Sequence, residues 1–315
     1  MIQLGGHSAL HPAGPQAARI HDFWQFLWIV AAVVFAAVVA ALLYAAFRRR
    51  GTDLDPPAAH RSAVRAVAAA TVGSLVVLFV FLLLNFRAGQ ALTMPPDGAV
   101  HVKVRGHQWW WEVVYPAATP SDQVTTANEL HVPAGRPVVV ELTSADVIHS
   151  FWPPSLVGKR DLIPGDVATI WFQADTPGVY RGQCAEFCGH QHAKMGFLVI
   201  AEPPADFEGW LRRQRNSSAT PADSVAARGQ EVFLATQCAL CHTIRPTPAG
   251  SRVGPDLTHL AGRRTIAAGS LPNDPASLAR WIADPQGVKP GAFMPATPLE
   301  QADLDALVAY LGTLE

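Results

Sequence analysis

The chain has only four cysteines, and they fall in two close pairs, Cys184 with Cys188 and Cys238 with Cys241. The first pair lies in Cys184-Ala-Glu186-Phe-Cys188-Gly-His-Gln-His192-Ala-Lys-Met195, with His149 about 35 residues upstream in Val147-Ile-His149. Two thiolates, two imidazoles and a thioether form a soft donor set suited to copper. Zinc is the competing reading, because Cys₂His₂ is also a structural zinc set. Zinc would leave Met195 without a use. A Cys184–Cys188 disulfide is a further alternative in an oxidising compartment. The second pair stands in Cys238-Ala-Leu-Cys241-His242, the C-x-x-C-H signal for covalent attachment of a c-type haem. A thioredoxin-like redox pair is the alternative, but no βαβ pattern surrounds it and His242 would be unexplained. Of four methionines, Met1, Met94, Met195 and Met294, Met294 lies in the turn-rich Pro290-Gly-Ala-Phe-Met294-Pro295. There it suits a second axial ligand, which would raise the haem potential.

Such sites need rigid supports, and the rest of the chain divides accordingly. Half of the 315 residues are hydrophobic and 16% are charged, which suggests that part of the chain sits in lipid. The runs 24–47 and 66–86 carry no charge and are long enough to cross the hydrocarbon core as helices. Between them lie Arg48, Arg49, Arg50, Arg61 and Arg65, with Asp53, Pro56 and Pro57 marking a turn. Positive charge concentrates in short cytoplasmic loops, so this loop is expected inside and both termini outside. The first 22 residues have no apolar core of their own and do not read as a complete signal peptide. A net charge of −1 leaves no basic footprint for nucleic acid.

From residue 95 to 203 short β-rich runs (101–104, 129–132, 138–143, 167–172 and 197–201) are broken by Pro and Gly, which predicts an all-β sandwich. Residues 204–221 read as a short helix followed by a flexible Asn/Ser-rich linker. Residues 222–315 are helical at both ends, over 224–234 and 301–311, and Leu304, Leu307, Val308 and Leu311 form one apolar stripe. Phe233, Leu257, Leu260 and Trp281 are candidates for an apolar shell around the haem. The full division is a segment 1–22, a helical hairpin 23–87, a sandwich 95–203, a helix and linker 204–221, and a haem domain 222–315.

The motif C-x-E-x-C-G-x-x-H-x-x-M after two spans resembles subunit II of haem–copper cytochrome c oxidases, which carries the dinuclear CuA centre. The resemblance extends over Gly106-His-Gln-Trp109-Trp-Trp-Glu, Asp146-Val-Ile-His149-Ser and Asp161-Leu-Ile-Pro-Gly165. It implies a cupredoxin-like sandwich in which Cys184 and Cys188 bridge two coppers. His149 and His192 would each cap one copper, with Met195 and the Glu186 carbonyl as weaker ligands. The Glu186 side chain would reach a magnesium site shared with subunit I, and Trp109 would be the exposed aromatic where electrons arrive. Met294 and Val253-Gly-Pro-Asp256-Leu are similar to parts of class I cytochromes c. The whole layout is similar to the caa3-type oxidases, whose subunit II has a fused cytochrome c.

That family implies an oxidoreductase subunit in a bacterial plasma membrane, with both redox domains on the periplasmic side. It would take electrons from a periplasmic donor, such as a cytochrome c or a bc1-type complex. It would pass them by its haem and copper to subunit I, which bears haem a and copper B, with subunit III as a further partner. One departure is the stretch His60-Arg-Ser-Ala-Val-Arg65, which has no carboxylate where the family carries Glu before the second span. Two other functions remain open on sequence alone: the input subunit of a copper-containing nitric oxide reductase, and a membrane-tethered carrier without a catalytic partner.

Overall fold

Ala, Val, Leu and Phe dominate the two N-terminal runs, and helices are what such runs form when no water can satisfy their backbone groups. The computed structural model describes residues 8–47 and 56–315. It has helix α1 over Pro15–Phe47 and helix α2 over Pro56–Thr93. Arg48, Arg49, Arg50 and Asp53, which bear on orientation, lie outside the described residues. The Phe26 and Phe81 rings meet edge-on at 5.5 Å, joining the first half of α1 to the second half of α2, so the helices run antiparallel. Their apolar side chains face outward, Val33 63% and Leu75 61% exposed, which suits a surface in contact with lipid.

A second compact unit comprises the residues up to Ala17 and Pro95–Glu315. Strands β1 (Val100–His107), β2 (Trp110–Tyr115), β3 (Val124–Ala127), β5 (Val138–Ser144) and β8 (Ala168–Phe172) form one sheet in the order β3-β2-β1-β5-β8. Strands β4 (Glu129–Pro133), β6 (His149–Trp152), β7 (Arg160–Leu162), β9 (Gly178–Cys184) and β10 (Gly196–Glu202) form the other, ordered β4-β10-β9-β6-β7. Pairs β1/β5 and β4/β10 are parallel and the remaining pairs antiparallel. Alternation sets the faces: in β1, Val102 and Val104 point inward while His101, Lys103 and Arg105 point outward. Trp111, Phe151 and Phe197 meet at the centre, the two phenylalanines stacked at 4.6 Å.

The N-terminal strap belongs to this sandwich. Ala13 N–H donates to the Ser155 carbonyl at 2.7 Å, Ala17 N–H to that of Leu156 at 3.2 Å, and Asp175 N–H to that of Ala13 at 2.9 Å. Gly14 must be glycine here, since a Cβ would stand 2.0 Å from the Gln173 oxygen.

Helix α3 (Pro204–Arg215) completes the sandwich core with Phe207 and Trp210. Trp210 stacks on His131 at 4.0 Å and meets Tyr115 at 5.2 Å. The stretch after it, expected to be a flexible linker, is instead tied down. Ser218 donates to the Arg245 carbonyl at 2.6 Å, and the Asn216 carbonyl sits 3.0 Å from His259 Nε2. Composition alone missed this, because polar Asn and Ser serve equally well as spacers and as hydrogen-bonding anchors.

The C-terminal module holds α4 (Ser224–Ala235), α5 (Cys238–Cys241), α6 (Pro275–Ala283), α7 (Pro285–Val288) and α8 (Gln301–Leu311), with a small hairpin β11 (Thr265–Ile266) and β12 (Leu271–Pro272). Asp223, Asp274 and Asp284 cap α4, α6 and α7 with side-chain carboxylates, satisfying otherwise orphaned N–H groups. Helices α4 and α8 cross at Gly229, where a Cβ would lie 2.0 Å from the Ala306 oxygen. Phe233, Ile244, Leu307 and Tyr310 fill the core between them.

Candidate redox sites

The first site forms at one end of the sandwich, where β6 delivers His149, the end of β9 delivers Cys184, and the loop between β9 and β10 delivers the rest. The Cys184 and Cys188 sulfurs lie 3.7 Å apart and both thiols are free, far beyond the ~2.05 Å of a disulfide. His149 Nδ1 is 3.9 Å from Cys184 Sγ, His192 Nδ1 3.6 Å from Cys188 Sγ, and Met195 Sδ 3.8 Å from Cys188 Sγ. The Glu186 carbonyl oxygen is 3.2 Å from Cys184 Sγ. All five side chains predicted from the sequence, with the Glu186 carbonyl, thus converge. His149, Cys184 and Cys188 present ligand atoms within 4.8 Å of one another. Sulfurs at this separation can share a metal about 2.3 Å from each. Contact with Cys188, aided by His149, holds the Cys184 thiol well below its usual range, whereas that same contact and burial push Cys188 up. The pair gives up a first proton more readily than a second, and a bound cation would supply the reason to release both.

Residues around the ligands fix their aim. Asp146 Oδ1 stands 2.8 Å from His149 Nε2, turning Nδ1 toward Cys184, and Asp146 Oδ2 accepts from the Gln108 N–H at 2.7 Å. Gly106 leaves the space for this ring: a Cβ there would stand 2.8 Å from His149 Cδ2. The indole N–H of Trp109 and the side-chain amide of Gln108 both donate to the Cys188 carbonyl, at 2.9 and 2.8 Å. The Glu186 carboxylate, 43% exposed, lies 3.6 Å from Lys159 Nζ.

The second site is an apolar cleft of the C-terminal module that Gln108, Trp109, Trp110 and Asn128 of the sandwich also line. Cys238, Cys241, His242 and Met294 all line it. So do Phe233, Leu257, Leu260 and Trp281, the four residues expected to form an apolar shell. His242 Nδ1 meets the Pro255 carbonyl at 2.7 Å, which orients the ring and leaves Nε2 for a metal. Burial holds His242 below the usual histidine range, and a neutral imidazole is the ligating form. Gly254 gives it room, since a Cβ would lie 2.7 Å from His242 Cε1. A wide apolar cleft with two thiols, an imidazole and a thioether on its walls fits a thioether-linked haem.

Several participants were not anticipated. Trp109 was expected to be exposed, but it is only 6% exposed, because Phe293 of the C-terminal module covers it with ring centroids 5.2 Å apart. Lys289 and Glu129 are buried where the two modules meet, with Arg263 half-buried, and scattered single ionisable residues carry no periodic signal. Asp146, three residues before His149, could have been found from its spacing.

Comparisons with known proteins agree with this geometry. Residues 117–202 match the family profile "Cytochrome C oxidase subunit II, periplasmic domain", and residues 226–315 match "Cytochrome c". A cytochrome c oxidase subunit 2 of Alkalihalophilus pseudofirmus is 35% identical over 98% of this chain and 91% of its own length. The Bacillus sp. PS3 protein of that name is 36% identical over 69% of this chain and 62% of its own, and the Bacillus subtilis protein 29% identical over 98% and 92%. Matched along 98% of its length to such a relative, and with a cytochrome c profile over residues 226–315, the chain belongs to the cytochrome c oxidase subunit 2 family, in the form that carries a cytochrome c domain.

Proposed function

We propose that the chain is the electron-input subunit of a caa3-type terminal oxidase, holding a dinuclear copper centre and a covalent haem c. The observation that carries this reading is the convergence of two thiols, two imidazoles and a thioether at one end of a rigid sandwich. When bound, the haem and the copper pair supply one-electron redox chemistry, taking electrons from a periplasmic donor toward subunit I, where oxygen is reduced to water.

Cys184, Cys188, His149, His192 and Met195, with the Glu186 carbonyl, would hold the copper. A site clamped by Asp146, Gln108 and Trp109 would change shape little between oxidation states. Cys238 and Cys241 would anchor the haem, His242 and Met294 would supply its protein ligands, and the apolar wall would exclude water. The half-exposed Glu186 carboxylate is available to a magnesium ion shared with subunit I. Helices α1 and α2 anchor the chain in a bacterial plasma membrane with both redox modules periplasmic. The partners are subunit I, subunit III and a donor such as a cytochrome c or a bc1-type complex.

Low-temperature EPR of the oxidised, copper-loaded protein tests the reading. One unpaired electron shared by two copper nuclei gives a hyperfine pattern that a single copper cannot produce, and it should appear beside the optical bands of a c-type haem. A single-copper pattern, or a copper-free protein holding zinc, would overturn it. In Cys184→Ser the dinuclear pattern should vanish while the haem remains.

A further inference from the structure

The loops that carry the proposed copper ligands and the proposed haem ligand are hydrogen-bonded directly to each other. Gln191, next to His192, donates its amide to the Pro290 carbonyl at 2.6 Å, and Lys194, next to Met195, donates Nζ to the Val288 carbonyl at 2.5 Å. Met294 lies four residues beyond Pro290. Gly196 N–H donates to the Ala268 carbonyl at 3.1 Å. Further along the same boundary, Glu129 of the sandwich accepts three hydrogen bonds from the C-terminal module on one oxygen. They come from the N–H groups of Arg264 and Thr265 at 2.8 and 2.9 Å and the Thr265 hydroxyl at 3.2 Å.

Lys289 sits at the middle of this boundary and is 3% exposed. Its Nζ donates to the Trp109 carbonyl of the sandwich at 2.9 Å and to the Ala267 carbonyl of its own module at 3.4 Å. No carboxylate is among its hydrogen-bond partners, Lys194 lies nearby, and the Cys188 sulfur is the opposing group. A desolvated amine held by two backbone carbonyls is an expensive way to fill space, so packing alone does not account for it. What it does achieve is geometric. It holds the backbone of the residue whose indole N–H reaches the Cys188 carbonyl and whose ring faces Phe293, the neighbour of Met294.

We propose that Lys289 is a positioning residue that fixes the haem module on the copper module, making Trp109 an internal bridge between the two redox sites that soluble carriers cannot reach. This rests on the functional reading above. The step it serves moves one electron from the haem iron to the copper pair; no bond forms or breaks and no proton is transferred. External donors then meet the chain on its haem module.

The test uses the full chain with both cofactors loaded, as parent, Lys289→Met, Lys289→Arg and Trp109→Phe. The haem is photoreduced by a small ruthenium complex and its re-oxidation by the copper pair is timed. Amide hydrogen exchange is followed at Gly196, Arg264 and Thr265. In the parent those amides should be protected. In Lys289→Met the internal rate should fall about tenfold or more, because small displacements of a reacting pair cost rate steeply. Exchange should rise, the copper EPR and haem bands should persist, and Lys289→Arg should recover part of the rate. Trp109→Phe should slow the transfer without raising exchange. Unprotected amides in the parent would refute a fixed module, and an unchanged rate in Lys289→Met would refute the positioning role. Absence of the two-copper signal in the parent would instead overturn the functional reading, while the exchange data would still report whether the modules are docked.

Discussion

Replacing Asp146 by asparagine isolates the carboxylate's hold on His149. In the parent, Oδ1 serves both His149 Nε2 at 2.8 Å and the Val147 N–H at 2.7 Å, and Oδ2 serves the Gln108 N–H at 2.7 Å. An amide has a single oxygen, so one orientation sets its NH₂ against the Gln108 N–H and the other sets it against both the imidazole and the Val147 N–H. At least one charge-assisted bond is lost, worth about 1.5–3 kcal/mol. Outer partners of metal-bound histidines are commonly worth about 10–100-fold in metal affinity, or roughly 1.4–2.7 kcal/mol, so the two scales agree. Copper loading against a competing chelator, read by the EPR signal, should shift weaker by that factor while haem content is unchanged. An affinity within about twofold of the parent would mean that Asp146 does not orient His149, and the argument from its geometry would fail.

Gly229→Ala forces a methyl into the α4–α8 crossing against the Ala306 oxygen, and overpacking of this kind costs about 1–3 kcal/mol or more. The denaturation midpoint of the haem module, followed at a haem band, should drop, and an unchanged midpoint would show that the crossing relaxes freely. Burial raises the Glu129 carboxyl above its ordinary 4.5. Between 4.5 and the raised value the folded state binds more protons than the unfolded one, so stability falls as pH rises through that window. Glu129→Gln should flatten this slope while keeping an acceptor for Arg264 and Thr265, and a slope identical to the parent's would assign the titration elsewhere. Met294→Ala should lower the haem potential and leave copper loading normal; an unchanged potential would mean that another residue is the sixth ligand.

The donor atoms were legible in the sequence because their chemistry is rare and their spacing tight. Nothing else on the chain competes with Cys184, Cys188, His192 and Met195 for a soft metal, and Cys238, Cys241 and His242 announce their own use. Strand and helix positions followed from period, as with Val102 and Val104 in β1 or Leu307 and Leu311 in α8. Contacts between modules were not legible. Trp109, Glu129 and Lys289 owe their burial to surfaces brought together from distant parts of the chain, and no local pattern records that. Helix α3 shows the same limit in small form: Phe207 and Trp210 marked an apolar face, but the sequence did not say which surface would receive it.

The strap from Ser8 to Ala17 sets an order of events during biosynthesis. It is made before the sandwich, yet Ser155, whose hydroxyl donates to the Ser8 carbonyl, lies 147 residues downstream of Ser8. Closing a loop of that length costs about 4 kcal/mol in chain entropy before any contact rewards it. Insertion of the antiparallel hairpin leaves the chain on both sides of it at one membrane face and halves the effective loop, a saving of about 0.6 kcal/mol. The strap therefore cannot dock before the chain as far as Asp175 has been made. A fluorophore attached at Ser8 would report the completion of folding.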